Sequence, residues 1–344
     1  MLSAEMDILS WYGALVRSIE GSTLLAWTAL AAALVILSKS AGVFVDSSVR
    51  IAEKFKIPKV VIGIVLVSLA TTAPELSVSL MSATTGKPEM ALGNAIGSVI
   101  CDDGLALGLA GLVSAAPILI MPVVLRISGI FLLCVEILAF LFVVFDSTLD
   151  RLEGAILVGL FFGYLAYLLS RHKRGKLQSG AEEGPMPAKK AVVPVVALLF
   201  VVSLLGIIAA SKFIVVAAVK IAHVFRVPET VIALTVVAFG TSIPEVATCV
   251  VAARRKQGAL AVGNIIGADI MNICWVAGAS AVANPLVLGT KEILFMFPAM
   301  FVIVGAMLAM LRHRYSLTRP KGAVLLGLYV LYLFLAAFVM KFPA

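Results

Sequence analysis

Ala70-Thr71-Thr72-Ala73-Pro74-Glu75, followed by Gly93-Asn94-Ala95-Ile96-Gly97-Ser98-Val99-Ile100-Cys101-Asp102, is nearly repeated further along this chain. The second copy reads Gly240-Thr241-Ser242-Ile243-Pro244-Glu245 and then Gly263-Asn264-Ile265-Ile266-Gly267-Ala268-Asp269-Ile270-Met271-Asn272. Each position precedes its counterpart by 170 residues, without a gap. Both copies place a glutamate directly after a proline, inside an apolar stretch. A carboxylate at membrane depth is costly unless a cation uses it. A doubled one predicts a membrane ion transporter whose site lies between two repeats.

Composition agrees. The 344 residues are 62% hydrophobic and 13% charged, with a mean hydropathy of +1.11. Soluble domains carry about 25% charge. The net charge of +8 is therefore read as loop charge that orients the chain in a bilayer, not as a nucleic-acid surface. Cys101, Cys134, Cys249 and Cys274 lie in apolar segments without metal-ligand spacing, so neither a disulfide nor a metal cluster is expected. His172, His223 and His313 fall in or near loops. With no histidine deep in a span and no nucleophile–base spacing, a membrane enzyme is disfavoured. No cofactor is expected.

Ten spans are predicted, at about 23–45, 59–83, 91–115, 121–145, 152–170, 192–219, 229–253, 259–283, 291–311 and 321–340. The expected fold is an all-α membrane protein of about ten transmembrane helices in two inverted-topology five-helix repeats. Residues 1–22 form a tail or interfacial helix, 23–170 the first repeat, 171–191 a cytoplasmic linker and 192–344 the second repeat. Five spans per half make the halves run in opposite directions. With the linker inside, eighteen Lys and Arg fall in inside loops and seven in outside segments. This bias puts both termini outside. The linker is too short to fold as a regulatory domain. The expected setting is a prokaryotic plasma membrane. The oligomeric state is left open, a monomer being compatible.

Pro74 and Pro244 lack an N–H and clash with the carbonyl four residues back, so each should break its helix. Unwound backbone at this depth is tolerated only where it lines a protein cavity. Freed carbonyls, threonine hydroxyls and a carboxylate form an all-oxygen set of the kind that hard cations prefer. Thr71 and Glu75 are four apart, as are Thr241 and Glu245, so each pair is expected on one helix face. The competing reading is a kinked helix whose glutamate pairs with Lys39 or Lys212. Gly93 and Gly97, like Gly263 and Gly267, have the spacing that lets helices approach closely. Ser98 and Asp102 can face the same cavity as Glu75; Ala268 and Asn272 hold those places in the second copy. Asn94 and Asn264 are read as interhelical hydrogen-bonders before ligands. Asp103 and Asp269 point about 100° away from their site neighbours, toward a second wet surface or as neutral acids.

The paired Pro-Glu and Gly-Asn-x-Ile-Gly motifs resemble the two alpha-repeats of the sodium/calcium exchanger family, of the cation/calcium antiporter superfamily. The resemblance implies central cation sites bounded by the second, third, seventh and eighth spans. It implies that Glu75 and Glu245 ligate Ca²⁺ and share Na⁺, with the carbonyls of Thr71 and Thr241 completing the Ca²⁺ site. It also implies Na⁺ sites at Thr72, Ser98 and Ser242 with the carbonyls of Ser68 and Ala238, and Asp102 and Asn272 beside the middle site. The implied partners are inorganic cations and the lipid bilayer. The implied function is Na⁺-for-Ca²⁺ antiport by alternating access, H⁺-coupled exchange of Ca²⁺ or another divalent ion being the alternative. Two departures bear on coupling. Asp102 and Asn272 reverse the asparagine and aspartate of similar archaeal members, and Ala268 stands where the family usually has serine, removing one hydroxyl from a Na⁺ site.

Overall fold

A computed structural model describes residues 13, 16–55, 57–173, 193–224 and 239–339 of the chain. It is helical almost throughout. In chain order the helices are α1 Thr23–Phe55, the bent pair α2 Lys59–Thr71 and α3 Ala73–Thr84, α4 Pro88–Val113, α5 Pro122–Val144 and α6 Arg151–Lys173. Then follow α7 Val193–Val224, α8 Ile243–Arg254, α9 Gly258–Ala283, α10 Thr290–Arg312 and α11 Arg319–Val339. Among the described residues, eight single helices are long and apolar enough to span a bilayer, and the bent pair makes a ninth span. The expected span 229–253 runs partly through residues outside the described set, as do most of the linker and of the tail.

The sequence repeat is a structural repeat. Adding 170 to the bounds of α4 gives those of α9. Adding 168 to those of α5 gives those of α10, so the second copy is two residues shorter after its third span. Two short antiparallel ladders follow the same rule. The strand β1 Ile118–Leu119 pairs with β4 Ser316–Leu317, and β2 Thr148–Leu149 pairs with β3 Leu286–Val287. Each ladder takes one strand from either repeat, and the repeat operation exchanges the ladders. The helix packing is exchanged in the same way, α4 lying against α11 and α9 against α6.

Burial locates the centre. Of the apolar windows, 78% of α4 and 83% of α9 is buried, against 17% to 39% for the other six single helices. Residues buried all round need neighbours on every side; α2, α3, α8 and the outer helices supply them. Small residues set the closest approach. A Cβ on Gly263 would lie 2.3 Å from the Val60 carbonyl oxygen, and one on Gly267 would lie 2.6 Å from Ile64 Cα. The glycine spacing in the second copy is thus a backbone-to-backbone contact between α9 and α2.

One boundary departs from expectation. The first span, expected over 23–45, continues as one 33-residue helix to Phe55. At about 1.5 Å per residue it outreaches a bilayer core of about 30 Å. Its extra turns carry Asp46, Arg50, Glu53 and Lys54, and Asp46 is ion-paired with Arg255 beyond the end of α8. Lys39 and Lys212 are both exposed, so neither pairs with a buried glutamate.

Candidate functional site

The helix breaks coincide with the duplicated motifs. Thr72, between α2 and α3, has φ −79° and ψ 1°. Ser242, its counterpart before α8, has φ −82° and ψ 1°. Pro74 and Pro244 stand in the first turn of the following helix, where a missing N–H costs least. Across the first break α2 and α3 bend by 45°. Thr71 and Glu75 therefore lie in different helices, not on one face of a continuous one. Both glutamates begin a helix, where the N-terminal end of the macrodipole favours negative charge.

The facing helices are irregular at matching places. A π-helical segment starts at Asp102 in α4 (Asp102–Ala106) and another at Asn272 in α9 (Asn272–Ala277). Such segments re-aim side chains and recur at functional sites.

Hydrogen bonds sew the repeats together here. Thr72 Oγ1 donates to Glu245 Oε1 at 3.2 Å, and Thr71 Oγ1 donates to Asn264 Oδ1 at 3.4 Å. Thr241 Oγ1 donates to Asn94 Oδ1 at 3.1 Å. Asn94 Nδ2 donates to Ser79 Oγ at 3.0 Å and to the Glu75 carbonyl at 3.5 Å. Asn94 and Asn264 are thus interhelical ties, as their positions suggested. The threonine hydroxyls on these asparagines link the halves of the protein directly, a partnership that spacing alone did not reveal.

Glu75, Asp102, Ser98, Ser242 and Asn272 are buried, with no measurable exposure. Among the described residues, none of their side-chain polar atoms has a hydrogen-bond partner within normal geometry, and neither does Glu245 Oε2. Thr72, three residues before Glu75, bonds Glu245, and α8, which carries Glu245, packs against the π-helical segment that Asp102 begins, which gathers the three carboxyls in one region. Buried polar atoms are nearly always satisfied, and a concentration of unsatisfied acceptors is what a desolvated cation would meet. No three Asp, Glu, His or Cys side chains among the described residues converge tightly enough to hold a metal by themselves. A cation between these carboxyls would draw on hydroxyls and carbonyls as well. Ser68 is less free than the others. Its hydroxyl donates to the Ile64 carbonyl, and its carbonyl accepts from Thr72 N at 2.8 Å and Thr71 Oγ1 at 3.4 Å. Ala238 lies outside the described residues.

Three further acids are buried beside Glu75, Asp102 and Glu245. Six acids are buried in the core: Glu75, Asp102, Asp103, Glu136, Glu245 and Asp269. Asp103 and Asp269 do not reach a second wet surface; both are fully buried and interact with each other across the repeats. Glu136 of α5 joins them. It escaped a reading built on duplication, because Val304 holds the corresponding place in the second repeat. Its mark in the sequence was a single acid near the middle of a helix that is apolar from Gly129 to Val144 on either side of it. Both Glu136 oxygens are without a hydrogen-bond partner among the described residues. Glu136→Leu, close to what the second repeat carries, should therefore stabilise the protein by about 1–3 kcal/mol. A thermal melt of purified protein checks this; a lower melting temperature would show that the carboxyl has a stabilising partner.

These features define a class: an inverted-repeat membrane transporter with carboxylates and hydroxyls from both halves at its centre. The family model for the sodium/calcium exchanger protein matches residues 25–170 and 195–338. An uncharacterized membrane protein of Methanocaldococcus jannaschii is 32% identical over 298 residues, covering 87% of this chain and 93% of that protein. A sodium/calcium exchanger of Methanosarcina acetivorans is 29% identical over 335 residues, covering 87% and 95%. A solved structure of the sodium-calcium exchanger NCX_Mj superposes with a TM-score of 0.76 at 26% identity, covering 90% of this chain and 98% of that one. The chain belongs to the sodium/calcium exchanger family. It is a multi-pass membrane cation/calcium antiporter, not an enzyme.

Proposed function

We propose that the protein exchanges Na⁺ for Ca²⁺ by alternating access at the central site. Glu75 and Glu245 take Ca²⁺ between them with the carbonyls of Thr71 and Thr241. Thr72, Ser98 and Ser242, with the carbonyls of Ser68 and Ala238, take Na⁺; Asp102 and Asn272 border the middle. The observation that carries this reading is the set of buried, unpartnered oxygens on Glu75, Asp102 and Glu245. Three carboxylates in a low-dielectric space repel one another unless cations neutralise them. One Ca²⁺ or several Na⁺ can do so, and competition for the same oxygens couples the two ions without simultaneous binding. Similarity to a sodium/calcium exchanger of Methanosarcina acetivorans and to a structure described in terms of extracellular ion exchange supports Na⁺ as the coupling ion.

Both termini are assigned to the outside and the linker to the cytoplasm of a prokaryotic plasma membrane, on the charge bias of the loops. The repeats are assigned as residues 23–170 and 192–344.

Proton coupling is the second reading. It is favoured by Ala268, buried where a Na⁺ site would use a hydroxyl, and by the extra acids Asp103, Glu136 and Asp269. Calcium-45 uptake into proteoliposomes, with Na⁺ and pH gradients imposed separately, decides between them. Uptake driven by outward Na⁺ at equal pH is expected. Uptake that follows only the pH gradient would replace Na⁺ with H⁺. Ala268→Ser should restore a hydroxyl ligand, steepen the Na⁺ dependence of uptake and raise apparent Na⁺ affinity about threefold to tenfold. An unchanged Hill slope would remove Ala268 from the coupling argument.

A further inference from the structure

A groove of about 540 Å³ lies on the outer face between α5 and α6, far in character from the central carboxylates. Its walls are apolar and aromatic, including Ile130, Phe131 and Tyr167, and Arg126 lies at one end. Two glycines one turn apart, Gly159 and Gly163, open it; no described atom lies within 4 Å of where a Cβ on either would stand. The floor is fixed. Phe131 and Tyr164 stack with ring centroids 4.5 Å apart, and Tyr164 OH donates to Ser128 Oγ at 2.8 Å. A second cation stands at the Arg126 end. The Arg171 guanidinium lies 5.8 Å from the centroid of the Tyr167 ring, and its Nε is buried without a partner among the described residues. Neither arginine forms an ion pair with a carboxylate among the described residues.

The repeats supply an internal control. At the places 168 residues on, Arg126, Gly163 and Arg171 are replaced by Leu294, Leu331 and Val339. The scaffold therefore does not require two arginines and an open glycine there; only one half of the molecule has them.

We propose that this groove binds one membrane phospholipid with an anionic headgroup. Its phosphate sits between Arg126 and Arg171, and an acyl chain lies along Gly159 and Gly163. Guanidinium groups match phosphate oxygens in geometry and charge, and the apolar trough is the complement of a hydrocarbon chain. A second copy of the protein fits less well, although an open small-xxx-small face is a known helix-pairing device. A two-fold axis normal to the bilayer would bring both copies' arginines to the same depth on one interface, where like charges repel. Both arginines also fall on the side that loop charge assigns to the cytoplasm, whose leaflet carries the anionic lipids.

Cys134 lines the groove and is exposed, whereas the other three cysteines are buried, so it reports directly on occupancy. The full chain is reconstituted in phosphatidylcholine with or without phosphatidylglycerol. Cys134 modification by a maleimide is followed, and lipid retained by the purified protein is identified by native mass spectrometry. Phosphatidylglycerol is expected to be retained in preference to phosphatidylcholine, one per chain, and to slow Cys134 modification about tenfold. Arg126→Leu with Arg171→Val, the second repeat's own residues, should abolish both effects. Gly163→Leu should exclude the lipid while leaving the charge in place. Equal retention of the two lipids by the wild-type protein, or no protection of Cys134, overturns the proposal even if the arginine variant does not fold. Wild-type dimers cross-linked through Cys134 overturn it in favour of a second copy.

Discussion

Glu75→Gln and Glu245→Gln are each expected to abolish Ca²⁺ exchange while leaving the folded protein intact. The substitution keeps the shape of the side chain and removes its charge. Both glutamates stand in the first turn of a helix that starts at a break, so neither is needed to hold a helix interior. In the wild-type protein Glu245 accepts from the Thr72 hydroxyl at 3.2 Å, a bond that glutamine can also accept. Little local structure depends on the charge, whereas a divalent ion without water depends on it heavily. Breaking a buried charge pair costs about 3–5 kcal/mol, which corresponds to roughly two to four orders of magnitude in affinity. Initial rates of calcium-45 uptake and a melting curve on the same preparation separate the effects. Transport retained by either variant, with the fold unchanged, would remove that glutamate from the site.

The second large effect is structural. Gly263→Val should prevent assembly of a stable protein, whereas Gly327→Val, on an exposed face of α11, should be tolerated. A Cβ at 263 would lie 2.3 Å from the Val60 oxygen and 3.0 Å from Val60 Cα. The obstacle is backbone, which no rotamer change can clear. Overpacking of a core by flexible side chains costs about 1–3 kcal/mol, and a backbone clash between two central helices exceeds that. Gly327 is exposed, and no described atom lies within 4 Å of the added carbon. Size-exclusion profiles in detergent are expected to show aggregate for the first variant and a single species for the second. Two similar profiles would mean that α9 and α2 can separate without loss of fold.

Exact repetition of a Pro-Glu and a Gly-Asn motif carried the architecture, because an inverted repeat must write its site twice. The breaks at Thr72 and Ser242, the ties from Asn94 and Asn264, and the ends of α4 and α9 all follow from positions that match between copies. What was not legible lies where the copies differ. Glu136 faces Asp103 and Asp269, but only one repeat carries an acid there. The extension of α1 to Phe55 is held partly by an ion pair with Arg255, 209 residues away, which local hydropathy cannot register. The expectation that Thr71 and Glu75 share a helix face failed because the break at Thr72 separates them. A proline in the first turn of α3 starts a new helix axis, bent 45° from that of α2.

The most direct test of the central site is a crystal of the protein soaked with Sr²⁺ as a stand-in for Ca²⁺, with the ion located by anomalous scattering. The account predicts one strong peak between the carboxylates of Glu75 and Glu245, within bonding distance of both and weakened as Na⁺ in the soak is raised. A peak bound by only one of them, or lying elsewhere in the membrane core, would contradict it.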